Sequence, residues 1–162
     1  MKKLFIFLLA TICLAQAVIF PPVLAADSDS PRTSTVEMLE DGYYLETIIE
    51  DAISPSSPVS RSEIQYVTKT KTTQLKNSSG VVLWSVSITA TFAYDGSSIC
   101  CMSYTPSAKA YASTWSIKNV TSSSNGIAAT ATATATQTYA LGISKDYTVS
   151  VTIECSVNGV VS

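Results

Sequence analysis

Trp84-Ser85-Val86-Ser87-Ile88-Thr89-Ala90-Thr91-Phe92-Ala93-Tyr94 alternates apolar and small side chains without a break. Successive side chains on an extended strand point to opposite faces. The stretch therefore reads as a strand with Trp84, Val86, Ile88, Ala90, Phe92 and Tyr94 on a buried face and hydroxyls on a wet one. Two further stretches repeat the pattern. Tyr147, Val149, Val151, Ile153, Cys155 and Val157 alternate with Asp146, Thr148, Ser150, Thr152, Glu154 and Ser156, and Ala129, Ala131, Ala133 and Ala135 alternate with Thr130, Thr132, Thr134 and Thr136.

Shorter candidates are Tyr66–Lys76, Ile99–Tyr104, Lys109–Ser113 and Trp115–Val120, separated by turn-forming residues at 77–80, Asp95-Gly96, Thr105-Pro106 and 124–126. About seven short strands with almost no helical periodicity predict an all-β antiparallel sandwich of the immunoglobulin-like kind. An open barrel is the structural alternative.

The strand pattern bears directly on the cysteines. Cys100 and Cys101 are adjacent and cannot share a face. A two- or four-residue loop after Tyr94 puts Cys101 on the face of Phe92, and a three-residue loop reverses this. Cys155 lies on the apolar face of its own strand. The expectation is a Cys101–Cys155 disulfide, stabilising by about 4 kcal/mol through loop closure. Cys100 is left outward as a free thiol, tolerated on the surface or available for an intermolecular bond.

Upstream of the strands, the chain begins with Lys2 and Lys3, a nearly unbroken apolar run from Leu4 to Phe20, and small residues at Val23-Leu24-Ala25-Ala26. This is the layout of a secretory signal peptide over residues 1–25, with cleavage after Ala25 or, as the second candidate, at Ala15-Gln16-Ala17. An uncleaved anchor is disfavoured by Pro21-Pro22. A lipoprotein at Cys13 is disfavoured by the bulky Ile12. A secreted, extracellular protein is the expected product, with no membrane association after cleavage, in a compartment where disulfides persist.

Residues 26–60 carry eight carboxylates (Asp27, Asp29, Glu37, Glu40, Asp41, Glu46, Glu50, Asp51) against Arg32 alone, whereas residues 61–162 carry seven bases and four acids. The Ser/Pro stretch Ser54-Pro55-Ser56-Ser57-Pro58-Val59-Ser60 marks the boundary. Three readings of the acidic segment follow: an edge strand docked beside Tyr66–Lys76, its acids answering Lys69, Lys71 and Lys76; a pro-segment released near Arg61; or a disordered spacer.

The composition excludes several chemistries. The 162-residue chain has no histidine, so Ser-His-Asp and Cys-His nucleophile pairs and His-ligated metal sites are ruled out. The candidate carboxylates of the domain are Glu63, Asp95, Asp146 and Glu154. Two of them sit at turns and Glu154 faces solvent, so no catalytic, metal or cofactor residues are assigned. A net charge of −2 gives no reason to expect a nucleic-acid partner. Trp84, Trp115, Phe92 and Tyr147 are expected inside; Tyr43, Tyr44, Tyr104 and Tyr111 are the aromatic side chains expected outside. The single threonine row at 130–138 is reminiscent of ice-binding arrays, but one row does not make a plane.

The runs Lys76-Asn77-Ser78-Ser79-Gly80, Leu83-Trp84-Ser85-Val86, Phe92-Ala93-Tyr94-Asp95-Gly96-Ser97-Ser98 and Val151-Thr152-Ile153-Glu154-Cys155-Ser156, with the leader Leu39-Glu40-Asp41-Gly42-Tyr43-Tyr44-Leu45-Glu46-Thr47, resemble an uncharacterised group of small secreted proteins of Gram-positive bacteria. The resemblance implies a β-rich domain with one cysteine after the Asp-Gly hairpin and one in the final strand. Cys100 departs from that pattern, and no activity is implied. The function expected is a non-catalytic extracellular module that binds a cell-envelope polymer or a protein. The competing expectation is an effector or bacteriocin-like protein matured from an acidic pro-segment.

Overall fold

The computed structural model describes residues 33–39, 42–51 and 64–162. The expected signal peptide (residues 1–25), Cys13, the Ser/Pro stretch 54–60 and Arg61 lie outside the described residues. Among the described residues, eight strands form two antiparallel sheets. β1 (Thr33–Met38), β2 (Tyr44–Asp51), β3 (Gln65–Lys76), β4 (Val82–Tyr94) and β5 (Ile99–Ala110) follow one another in the first sheet; β6 (Trp115–Ser124), β7 (Ala128–Thr138) and β8 (Ser144–Glu154) form the second. β7 packs across β4 and β5, and β8 across β3 and β4, giving a β-sandwich.

The core follows from the alternation that opens the sequence. Trp84, Val86, Ile88, Ala90 and Phe92 of β4 are buried, facing Ala129, Ala131, Ala133 and Ala135 of β7 and Val151 and Ile153 of β8. Alanine on the opposing strand makes room for the Trp84 and Phe92 rings, so large and small side chains fill the layer together.

Three register shifts correct the simple parity of the sequence, the first in the β3–β4 pair, where Leu75 lies opposite Trp84 and Lys76 opposite Val82, leaving Leu83 as the extra residue. In the β4–β5 pair Thr91 lies opposite Ser103 but Phe92 opposite Cys101, leaving Met102 as the extra residue. In the β6–β7 pair Ile117 faces Ala135 and Val120 faces Ala133. The extra residue Lys118 lets side chains three apart both turn inward. The turn expected at Thr105-Pro106 is instead the middle of β5. Pro106 is accommodated because β5 is an edge strand, where a missing N–H need not break a ladder.

The acidic segment does not stand apart. β2 pairs with β3 along its whole length and β1 with β2, so the first sheet continues across the boundary at residue 60. Glu46 forms an ion pair with Lys76, and Asp51 lies opposite Lys69 in register. Lys71 shares the inward parity of Val67, Thr73 and Leu75 and lies opposite Ile49. Docking beside Tyr66–Lys76, one of the three readings, is thus the arrangement adopted, with the difference that β2 is covered in turn by β1, which forms the sheet edge.

Candidate binding surfaces

Alternation that buries alanine and valine exposes threonine and serine, and the register turns this into an ordered surface. On the outer face of the second sheet the Oγ atoms meet in cross-strand pairs: Thr130 with Thr152 at 2.8 Å, Thr132 with Ser150 at 2.8 Å, and Thr134 with Thr148 at 2.9 Å. Thr136 donates to Asp146 at 2.6 Å. β6 adds Ser116, Asn119, Thr121 and Ser123 opposite Thr136, Thr134, Thr132 and Thr130. The threonine row is therefore the middle of a plane three strands wide, a relation that only the register reveals.

The first sheet repeats the device on its own outer face, where Thr68 pairs with Thr91 at 2.9 Å and Thr70 with Thr89 at 2.8 Å. Neighbouring hydroxyls on such a face repeat at about 6.7 Å along a strand and about 4.8 Å across strands. Each hydroxyl pair spends one O–H on itself, leaving the other O–H and further lone pairs for a ligand or solvent.

Charge enters the second plane toward its two ends, at Glu154 of β8 and at the Lys118–Asp146 pair. Lys118 donates to the Asp146 carboxylate at 2.6 Å. The Lys118 ammonium, followed by the Thr136 hydroxyl, holds the Asp146 carboxyl below the usual range. Asp95 lies in the β4–β5 loop, where its Oδ1 accepts from the N–H groups of Ser97 at 2.8 Å and Ser98 at 2.7 Å; these bonds hold its carboxyl down as well. Glu154 faces solvent, and Glu63 lies outside the described residues. Among the described residues no three His, Cys, Asp or Glu side chains cluster as metal ligands.

The aromatic side chains divide differently from expectation. Trp84, Trp115 and Phe92 are buried and Tyr147 is half-buried, while Tyr104 and Tyr111 are exposed. Tyr43, expected outside, is half-buried and meets Trp115 and Tyr147 edge-on, with centroids 6.2 and 6.1 Å away. Its hydroxyl accepts from Gln137 Nε2 at 3.1 Å. Tyr44 is half-buried too. Tyr43 thus ties the acidic segment to the second sheet, a contact that nothing in local periodicity encodes. Tyr66 and Tyr139, not singled out in the sequence, are exposed.

The cysteines keep the predicted faces but not the predicted bond. The β4–β5 loop has four residues, Asp95 to Ser98, and Cys101 does share the face of Phe92. Yet Cys100, Cys101 and Cys155 are all free thiols. Cys101 and Cys155 each direct their backbone N–H to the β6–β7 turn, at Gly126 O (2.6 Å) and Ile127 O (3.1 Å). The thiols point to separate carbonyls, Ser103 O at 3.7 Å and Ser156 O at 3.4 Å. The right face is necessary for a disulfide and is not sufficient. Burial pushes the Cys155 thiol up from its ordinary value.

Two open clefts flank the sandwich. One, of about 290 Å³, is lined by Ile64, Tyr66, Tyr94, Ile99, Cys100 and Met102 among others. The other, of about 280 Å³, lies beneath the overhanging β1 and β2 and is lined by Thr35, Thr47, Ile49, Lys71, Val161 and Ser162. Among the described residues no helix is long and apolar enough to cross a membrane. No protein family, curated protein or solved structure matches this chain.

Proposed function

We propose that this protein is a secreted, non-catalytic module that binds an uncharged polysaccharide of the cell envelope through its hydroxyl-bearing sheet faces, in keeping with its resemblance to small secreted proteins of Gram-positive bacteria. The observation that carries the reading is the plane on β6, β7 and β8, where hydroxyls stand in register over three strands and charge lies toward the two ends, at Glu154 and at the Lys118–Asp146 pair. A polymer of sugar hydroxyls meets such a face through many weak bonds, none of which requires a buried charge.

Co-sedimentation of the protein with purified, insoluble wall polysaccharide tests this. Thr132→Arg places a bulky charge at the centre of the plane, and the bound fraction is expected to fall at least tenfold while the unfolding midpoint stays near that of the parent. Binding that survives the substitution overturns the assignment to this face. Ice-crystal shaping by the parent without polysaccharide binding would show that the lattice recognises water instead.

A further inference from the structure

The two sheets differ by two strands, and the consequence falls on β8. It is an edge strand of the second sheet, paired with β7 on one side. On its other side the chain returns: Val161 bridges Cys155, and Ser162 and Glu154 exchange both backbone hydrogen bonds at 3.0 Å. That exchange fixes which groups of β8 look outward. By the two-residue period, the N–H and C=O groups of Thr152, Ser150 and Thr148 point to the same side as those of Glu154. No described residue pairs with them there.

The space beside this edge is shaped for a strand. It lies beneath the inner face of β2, where Thr47 and Ile49 join Val161 and Ser162 around the 280 Å³ cleft. Lys71, half-buried, lines the same cleft. Toward the other end of β8, Tyr43 meets Tyr147 edge-on.

The geometry points to β8 as an acceptor edge for an extended segment of another polypeptide, added antiparallel in line with residues 161–162. Its backbone pairs with Thr152, Ser150 and Thr148. One inward carboxylate meets Lys71, and apolar side chains at alternate positions fill the space beneath β2. Two observations support this occupant: the pairing already begun by residues 161–162 continues in register along the open edge, and the cleft wall carries a cation. Strand addition of this kind draws affinity from main-chain bonds and selectivity from alternate side chains. It uses an edge, not the hydroxyl faces, and so stands apart from polysaccharide binding.

The test supplies a strand at high effective concentration by appending Glu-Thr-Val-Thr-Val-Thr after Ser162 of the full chain. The thermal midpoint is expected to rise by about 4 °C, a gain of roughly 1 kcal/mol at this domain size. The amides of Thr148, Ser150 and Thr152 are expected to become protected from hydrogen exchange. Ser150→Pro removes one outward N–H at an edge position where proline is tolerated; measured against its own unextended parent, it is expected to abolish the gain. Replacing the appended Glu with Lys should reduce the gain, and Lys71→Glu should restore it. An extension that gives neither stabilisation nor protection overturns the proposal, as does a gain indifferent to Ser150→Pro.

Discussion

Replacing Gly159 by alanine probes the close of the chain, because two separable strains meet at that residue. Its φ is +78°, a left-handed conformation that an alanine adopts at a cost of about 1–2 kcal/mol. A Cβ there would also lie 2.3 Å from Tyr94 Cζ and 2.5 Å from Tyr94 Oη, where ordinary contact begins near 3.4 Å. Something must move by about 1 Å, and overpacking of this size costs about 1–3 kcal/mol.

Gly142 supplies the control, since its φ is +75° and nothing lies within 4 Å of its Cβ position. Gly142→Ala is therefore expected to show the conformational cost alone. The difference between the two variants, about 2 kcal/mol, corresponds to roughly 8 °C in midpoint for a domain of this size. Urea and thermal unfolding followed by tryptophan fluorescence measure it, and unchanged m-values establish that stability alone has changed. In a Tyr94→Ala background the excess cost of Gly159→Ala should vanish, because the clashing ring is gone. If Gly159→Ala costs no more than Gly142→Ala, the turn at 156–159 does not sit against Tyr94 and the path of residues 160–162 along β8 is wrong.

Three further outcomes follow from the arrangement. A chain begun at Ser62 lacks β1 and β2 and bares the β3 edge, so size-exclusion chromatography should show aggregation; a monomer as stable as the full chain would restore the pro-segment reading. Alkylation of the native protein should label exposed Cys100 first and buried Cys155 last, with Cys155 reacting only as the pH rises above the ordinary thiol range. Under denaturing, non-reducing conditions all three of these thiols should react, and uptake by Cys100 alone would establish a Cys101–Cys155 bridge. Asp95 and Asp146 have carboxyls held below their ordinary value, so their stabilisation is complete above about pH 4 and is lost as the pH falls through the lower folded-state values. Asp95→Asn should flatten that acid limb in pH-dependent urea unfolding, and an unchanged limb would remove Asp95 from its cause.

What the sequence made legible was whatever depends on period two. The inward row of β4, the alanine row of β7 and the outward placement of Glu154 all follow from alternation within one strand. Relations between strands were less accessible. Met102 and Lys118 each insert one residue into a ladder, and nothing local distinguishes a bulge from a simple continuation. Pro106 reads as a break until β5 is known to be an edge. Strand faces alone suggest a bond between Cys101 and Cys155, whereas forming it depends on distance and on where each thiol points. Tyr43 shows the limit most plainly: its partners, Trp115, Gln137 and Tyr147, are more than seventy residues away.

β3 carries a signal that makes sense only with both sheets in view. Its inward row reads Val67, Lys69, Lys71, Thr73 and Leu75, a mixture that a strand covered along its whole inner face would not carry, since taking ammonium groups out of water is strongly disfavoured. The explanation is partial cover. β8 lies across β3 and β4, but β2 extends beyond it, and the polar middle of β3 borders the uncovered cleft. Thr73 is buried there because its hydroxyl meets Thr47 Oγ1 at 2.9 Å, while Lys71 retains access to water through the cleft. Lysines on the inward parity of an otherwise apolar alternation therefore mark where the opposing sheet ends. Hydrophobic substitution tests this: Lys71→Val should leave stability within about 1 kcal/mol if the position borders solvent, whereas a Lys71 enclosed by an opposing sheet would give a marked gain on the same change.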